Sequence, residues 1–213
     1  MSRPQPGIPP SILRESLLPA LRRFLPASSV LDTEENQRPY ECDGLSAYRQ
    51  LPGLVVLPET IEQVQHILRL CSEYRVPVVA RGAGTGLSGG ALPLADGVLL
   101  SLTKFNRILE IDPLNRTATV QPGVRNLAIS EAAAPHGLYY APDPSSQIAC
   151  SIGGNVAENA GGVHCLKYGL TVHNLLGLKF LTMDGELVTL GGKTLDAPGY
   201  DLLALLTGSE GLL

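Results

Sequence analysis

Between two apolar stretches the chain reads Ala80-Arg81-Gly82-Ala83-Gly84-Thr85-Gly86-Leu87-Ser88-Gly89-Gly90, with glycine at five of the nine positions from Gly82 to Gly90. Glycine costs backbone entropy, so an ordinary loop gains nothing from this density. The density suits a main chain that approaches a ligand closely and aims successive N–H groups at it, and phosphate is the usual target of such a nest. Arg81 adds a fixed positive charge at the loop entrance. The run Val76-Pro77-Val78-Val79 before the loop and residues Val98 to Leu102 after it read as buried strands. Gly84, Gly86 and Gly89 match the Gly-x-Gly-x-x-Gly spacing of dinucleotide-binding Rossmann folds, but that fingerprint opens a helix. Here Pro93 and Gly97 oppose a helix. The expected order is therefore strand, phosphate-cradling loop, strand, and a nicotinamide-dependent Rossmann enzyme is the less favoured alternative.

A second glycine-dense region spans residues 142–162. It contains Pro142-Asp143-Pro144, then Ser151-Ile152-Gly153-Gly154-Asn155, then Glu158-Asn159-Ala160-Gly161-Gly162. Small and amide side chains dominate. Such a stretch can lie flat against a planar polar ligand, with Asn155, Asn159 and backbone groups meeting a ring edge. The plainer alternative is a long turn-rich loop. Two such regions, roughly sixty residues apart, favour an extended ligand touched at both ends.

The rest of the chain supplies a scaffold. Ser11 is placed to cap a helix over Ile12 to Phe24, which Pro19 should kink or split. Residues Asp32 to Pro52 read as a polar crossing loop in which Tyr40, Asp43 and Tyr48 are structural. Leu54 to Leu57 form a strand. Thr60 and Gln63 start a helix as a capping box, and Ile61, Val64, Ile67, Leu68 and Cys71 make its apolar face. Residues 54–80 then form a strand–helix–strand unit, which suggests parallel neighbours and a right-handed crossover. A hairpin over residues 107–121 turns at Asp112-Pro113-Leu114-Asn115, a helix covers Asn126 to Ala134 with His136-Gly137 at its stop, and a second hairpin turns at Asp184-Gly185. A short helix is expected between Tyr200 and Leu206.

Composition excludes several classes. The chain has 213 residues, 44% apolar and 17% charged, with net charge −4 and no basic block. It is globular, and nucleic acid is not expected as a partner. Cys42, Cys71, Cys150 and Cys165 form no Cys-x-x-Cys pair, so reduced thiols and a cytoplasmic location are expected. No apolar run reaches the roughly 20 residues of a membrane span, so membrane attachment would come peripherally through partners. His164, Cys165 and His173 fit no standard zinc spacing and read as structural.

Four motifs together carry a family resemblance: residues 81–91, residues 151–162, Lys167-Tyr168-Gly169, and Gly208-Ser209-Glu210-Gly211. The chain resembles the FAD-binding domain of the vanillyl-alcohol oxidase / p-cresol methylhydroxylase superfamily, and within it the FAD subunits of bacterial glycolate oxidase and the related D-lactate dehydrogenases. The resemblance implies an α+β, two-lobed domain with mixed sheets flanked by helices, not a Rossmann fold. Its parts would be an N-terminal helix and crossing loop over 1–53 and an FAD-binding domain over 54–213, with lobes over about 54–102 and 103–213. Arg81, Gly82, Ala83, Gly84, Thr85, Gly86, Leu87 and Ser88 would hold the FAD pyrophosphate. Pro142, Asp143, Ser151, Ile152, Gly153, Gly154, Asn155, Glu158 and Asn159 would line the cofactor, and Glu210 and Gly211 would begin a further contact. No histidine lies between Ala80 and Gly90, so the FAD is expected to be non-covalent, and Cys150 reads as a packed thiol.

The implied reaction is oxidation of a small 2-hydroxy acid, with hydride passing to the flavin and electrons leaving through an iron–sulfur subunit or a quinone. A second FAD-domain subunit is a further implied partner. The family's C-terminal substrate domain, with its base and metal ligands, would lie outside this chain, which then reads as partial. A FAD-binding module inactive on its own is the alternative.

Overall fold

The computed structural model describes residues 12–194 and 199–212, so the Ser11 cap lies outside the described residues. A four-stranded sheet comes first. Its strands are β1 (Val30–Leu31), β2 (Leu54–Val56), β3 (Val78–Arg81) and β4 (Val98–Ser101), in the order β1-β2-β4-β3. β1 runs antiparallel to β2, and the other three strands are parallel. The sequence suggests that β2 and β3 are neighbours, but β4 stands between them, pairing Leu99 with Val55 on one side and Val79 on the other. The reason is burial. All four residues of β4 are buried, as suits a central parallel strand, whereas β3 keeps three partly or fully exposed residues.

Three helices accompany this sheet: α1 (Leu18–Arg22), α2 (Glu34–Gln37) and α3 (Ile61–Tyr74). Residues Ile12–Leu17 enter α1 as π-helical turns with Pro19 in its first turn. The wider turn accommodates a ring that would clash with the carbonyl four residues earlier. α2 and a 3-10 turn at Arg38–Tyr40 occupy the segment expected as an open crossing loop. At the start of α3 the Thr60 hydroxyl accepts from Gln63 N at 3.3 Å, while the Gln63 side chain accepts from Glu59 N at 2.7 Å. Val64, Ile67, Leu68 and Cys71 are buried as their spacing predicts, but Ile61 is 39% exposed. This face packs with Leu17, Leu21, Leu54, Val56, Val98 and Leu100 in the larger core.

The second part of the chain runs through the hairpin β5 (Ile108–Asp112) and β6 (Thr117–Val120), then α4 (Asn126–Ala133), α5 (Ile152–Glu158) and α6 (Cys165–Tyr168). A second hairpin, β7 (Gly177–Leu181) and β8 (Leu187–Gly191), and α7 (Leu202–Leu206) follow. The Asp112 carboxylate accepts from Asn115 N and Nδ2 at 3.1 and 2.7 Å, closing the first hairpin turn. A smaller apolar cluster gathers Val124, Ile129 and Ile152 against Ile108, Val120 and Tyr140. The two parts are tied by Lys104, which donates to Glu59 and Ser29, and by Gln65, whose amide donates to Gly185 O at 2.9 Å. The result is an α+β, two-lobed architecture, and no helix opens after the glycine loop.

Candidate cofactor site

β3 delivers the glycine loop. Leu102 N donates to Arg81 O at 3.0 Å, so strand pairing persists to the loop's first residue. From Gly82 through Ser88 the chain then makes no backbone N–H hydrogen bond among the described residues; the next is Leu92 N to Gly89 O at 3.0 Å. Gly84 has φ +69, and a Cβ there would collide with the Arg81 guanidinium. That guanidinium is buried beneath the loop. Its Nη1 donates to Cys42 O at 2.8 Å and Ala91 O at 3.4 Å, and it lies 5.8 Å from the Tyr40 ring. Burial lowers its pKa from the usual arginine value. Arg81 is thus a strut carrying the loop, with its positive charge below the N–H groups.

The second wall contains α5, a helix that the sequence analysis does not assign, with Gly153 and Gly154 in its first turn. Partners from elsewhere in the fold set this turn. Ile152 N donates to Val124 O and Gly153 N to Pro122 O, both at 2.8 Å, and the Ser151 hydroxyl caps Gly154 N at 3.4 Å. A Cβ on Gly153 would sit 2.8 Å from the Pro122 ring, which explains the glycine. These N–H groups are consumed inside the fold, so this wall offers a close-packed surface and no anion nest. Asn155 also turns inward. It is 3% exposed, its Oδ1 accepts from Asn126 Nδ2 at 3.2 Å, and its Nδ2 donates to Cys150 Sγ at 3.4 Å. Asn126, read only as the start of a helix, is the hub here and also donates to Pro142 O at 3.0 Å. Asn159 accepts from Val172 N at 3.0 Å. Asp143 pairs with the His164 ring at 2.6 Å and its backbone N at 3.3 Å. Burial alone would raise the Asp143 carboxyl, but the bonds from His164 hold it below the ordinary value.

The two walls close on each other. A Cβ on Gly82 would strike the Ser151 hydroxyl, and one on Gly86 would lie 3.1 Å from Glu158 Oε1. One on Gly90 would lie 2.5 Å from Glu210 Oε2 and 3.9 Å from Glu158 Oε1. Gly208 N and Glu210 N donate to Val156 O and Ala157 O, each at 2.8 Å, so the Gly208–Gly211 segment is fastened to the end of α5. Glu158 has its pKa raised, first by burial and then by Glu210 and Asp43. Two open hollows of about 350 Å³, one beside Gln37 and Gly53 and one beside Thr103 and Arg125, touch neither wall. Among the described residues no cluster of three or more His, Cys, Asp or Glu groups could hold a metal ion, and His173 Nδ1 accepts from Leu170 N at 3.1 Å.

These residues fit FAD. The N–H groups of 82–88, unused among the described residues, are donors of the kind a pyrophosphate needs, their side chains are small except for Leu87, and the carboxylates along the rim can accept from hydroxyl or N–H groups but not from phosphate. A family model described as an FAD binding domain matches residues 52–191. Glycolate oxidase subunit GlcD of Escherichia coli is 68% identical over 207 residues, covering 97% of this chain and 42% of that protein. A D-lactate dehydrogenase of Archaeoglobus fulgidus is 45% identical over 161 residues, covering 75% of this chain and 36% of that protein. Among solved structures, an alkyldihydroxyacetonephosphate synthase superimposes with a TM-score of 0.79 at 21% identity, over 99% of this chain and 39% of that one. The chain therefore spans less than half the length of each of these proteins. Among the described residues no helix is long and apolar enough to cross a membrane.

Proposed function

The chain belongs to the FAD-binding domain family, and from that premise we propose that it is the FAD-holding part of an oxidoreductase that converts a small 2-hydroxy acid, of the glycolate or D-lactate type, to the 2-oxo acid. The observation that carries the reading is the run of unused N–H groups from Gly82 to Ser88, set against the wall of α5. Bound FAD supplies the two-electron acceptor for oxidation at C2. The protein's part is to hold and orient it. The loop N–H groups clamp the pyrophosphate, with Arg81 fixing the loop from below. Ser151 to Asn159, Pro142 and Asp143 form the surface along which the cofactor lies, and Glu210 and Gly211 continue it past Gly90. Attachment is non-covalent, because the loop has no histidine and Cys150 is buried against Asn155.

In this proposal the catalytic base and the substrate-binding groups lie outside this chain, in the length of the relatives that it does not span. The Escherichia coli relative is named as a subunit, which supports assembly with further subunits; that these include an iron–sulfur electron acceptor and a second FAD-domain chain is part of the proposal. Work in the cytoplasm, with membrane contact only through such partners, completes the proposal. Purified protein should show flavin absorption near about 375 and 450 nm, and acid precipitation should release all of the colour. Glycolate or D-lactate should bleach the 450 nm band of the intact assembly. A colourless protein that binds NADH instead would overturn the reading. Bound flavin that no 2-hydroxy acid bleaches would reduce it to a cofactor-binding module.

A further inference from the structure

Two carboxylates face the glycine loop. A Cβ on Gly86 would lie 3.1 Å from Glu158 Oε1, and one on Gly90 would lie 2.5 Å from Glu210 Oε2 and 3.9 Å from Glu158 Oε1. Both glutamates are exposed, and among the described residues neither side chain has an ion-pair or hydrogen-bond partner. The charged groups felt at Glu158 are Glu210, from the segment fastened to the end of α5, and Asp43, from the crossing segment. Partial loss of solvent, then these two charges, push its carboxyl above the ordinary value. The nearby cation, Arg81, sits beneath the loop with Nη1 committed to Cys42 O and Ala91 O. The loop that offers donors to a dianion is therefore overlooked by uncompensated negative charge. The separation is bounded whichever way the ligand approaches. A phosphate oxygen accepting from Gly86 N, which is unused among the described residues, lies within about 9 Å of Glu158 Oε1, because bond lengths and an ordinary hydrogen bond leave no longer path. That is about one Debye length at physiological ionic strength.

We propose that the cofactor site is proton-linked: Glu158 takes up a proton from solvent when FAD enters, so pH sets the affinity for the cofactor. The inference rests on the FAD reading given above. A pyrophosphate carries two negative charges through the neutral range, so the charge that can give way is on the protein. Glu158 gives way first, because Glu210 and Asp43 already oppose its ionised form and the incoming ligand adds to them. The proton is then held more tightly in the complex than in the free protein. Affinity is therefore highest at a pH where Glu158 is protonated before FAD arrives. It falls as pH rises from the free-protein value of Glu158 through its higher value in the complex, and then levels off.

The test is FAD binding to the purified full chain, freed of flavin and followed by flavin fluorescence from about pH 8 to about pH 5. Affinity should rise at least about fivefold toward acid, and calorimetry in two buffers of different ionisation enthalpy should show proton uptake on binding in that window. Glu158→Gln is uncharged at every pH. It should bind FAD at least about fivefold more tightly than the unsubstituted chain at about pH 8 and lose most of the pH dependence. Glu210→Gln removes one of the charges opposing the ionised Glu158 and should move the window to lower pH. Affinity that is flat across this range would overturn the proposal, as would a Glu158→Gln protein that binds no tighter at about pH 8 or keeps the full pH dependence. Failure of the unsubstituted chain to bind FAD at any pH would instead remove the FAD reading itself, and this inference with it.

Discussion

Asn155 illustrates how one side chain can look like a ligand contact and serve another purpose. From its place in a glycine-rich stretch it reads as a partner for a ring edge. In the structure its amide joins Asn126, Pro142 and Cys150 in a buried network that fixes α5 behind the site. Asn155→Ala removes an acceptor from Asn126 and opens a small cavity. It should cost about 2 kcal/mol, which is about 4–8 °C in melting temperature for a chain of this size, measured by thermal unfolding of the apoprotein. A shift below about 1 °C would show that the network contributes little. Sequence alone cannot reveal this role. An amide flanked by glycines is compatible with either orientation, and only the approach of Pro142 and Asn126 decides between them.

At the scale of elements, the contrast between the hairpins and α5 shows what local sequence determines. Asp184-Gly185 and Asp112 through Asn115 encode their turns in adjacent residues, and both hairpins form where their patterns place them. α5 is held by the carbonyls of Pro122 and Val124, about thirty residues earlier, and its own Gly153-Gly154 pair argues against it. The same limit applies to the sheet, where the insertion of β4 between β2 and β3 follows from burial on both faces and not from chain order. α5 also ends in a carboxylate whose situation has a pH consequence. Glu158 lies exposed at the helix C-terminus, near Glu210 and Asp43, and its pKa is raised in the folded state. A carboxyl raised on folding binds its proton more tightly in the native protein. Its stabilising contribution is therefore complete below the unfolded carboxylate pKa and is lost as pH rises through the folded value. Glu158→Gln should melt higher than the unsubstituted apoprotein at neutral pH, with the difference vanishing in acid, as read from melting temperatures across pH 4 to 8 (about the carboxylate range and above). A variant that melts lower at neutral pH would show that the charge is compensated.

Over the whole molecule, the feature most legible from sequence was the pairing of two glycine-rich segments, and the fold does press Gly82 against Ser151, Gly86 against Glu158 and Gly90 against Glu210. What sequence could not show was the division of labour. Among the described residues the N–H groups of 82–88 have no partner, those at the start of α5 are used to hold its shape, and Arg81 supports the loop from beneath. Nor does sequence show how deeply Asp43 is buried, with one carboxylate oxygen accepting from Leu45 N and the other without a partner among the described residues. The central claim is that the free N–H groups of 82–88 hold the cofactor, and Gly84 is the point where the loop's shape can be broken without touching the second wall. Any side chain there meets both a positive φ and the Arg81 guanidinium. The decisive measurement is a fluorescence titration of apoprotein with FAD, comparing the unsubstituted chain with Gly84→Ala. Saturable binding that weakens at least about tenfold in the variant, while far-ultraviolet circular dichroism is unchanged, is the predicted result. Equal affinity in the two proteins would mean that the cofactor is held elsewhere.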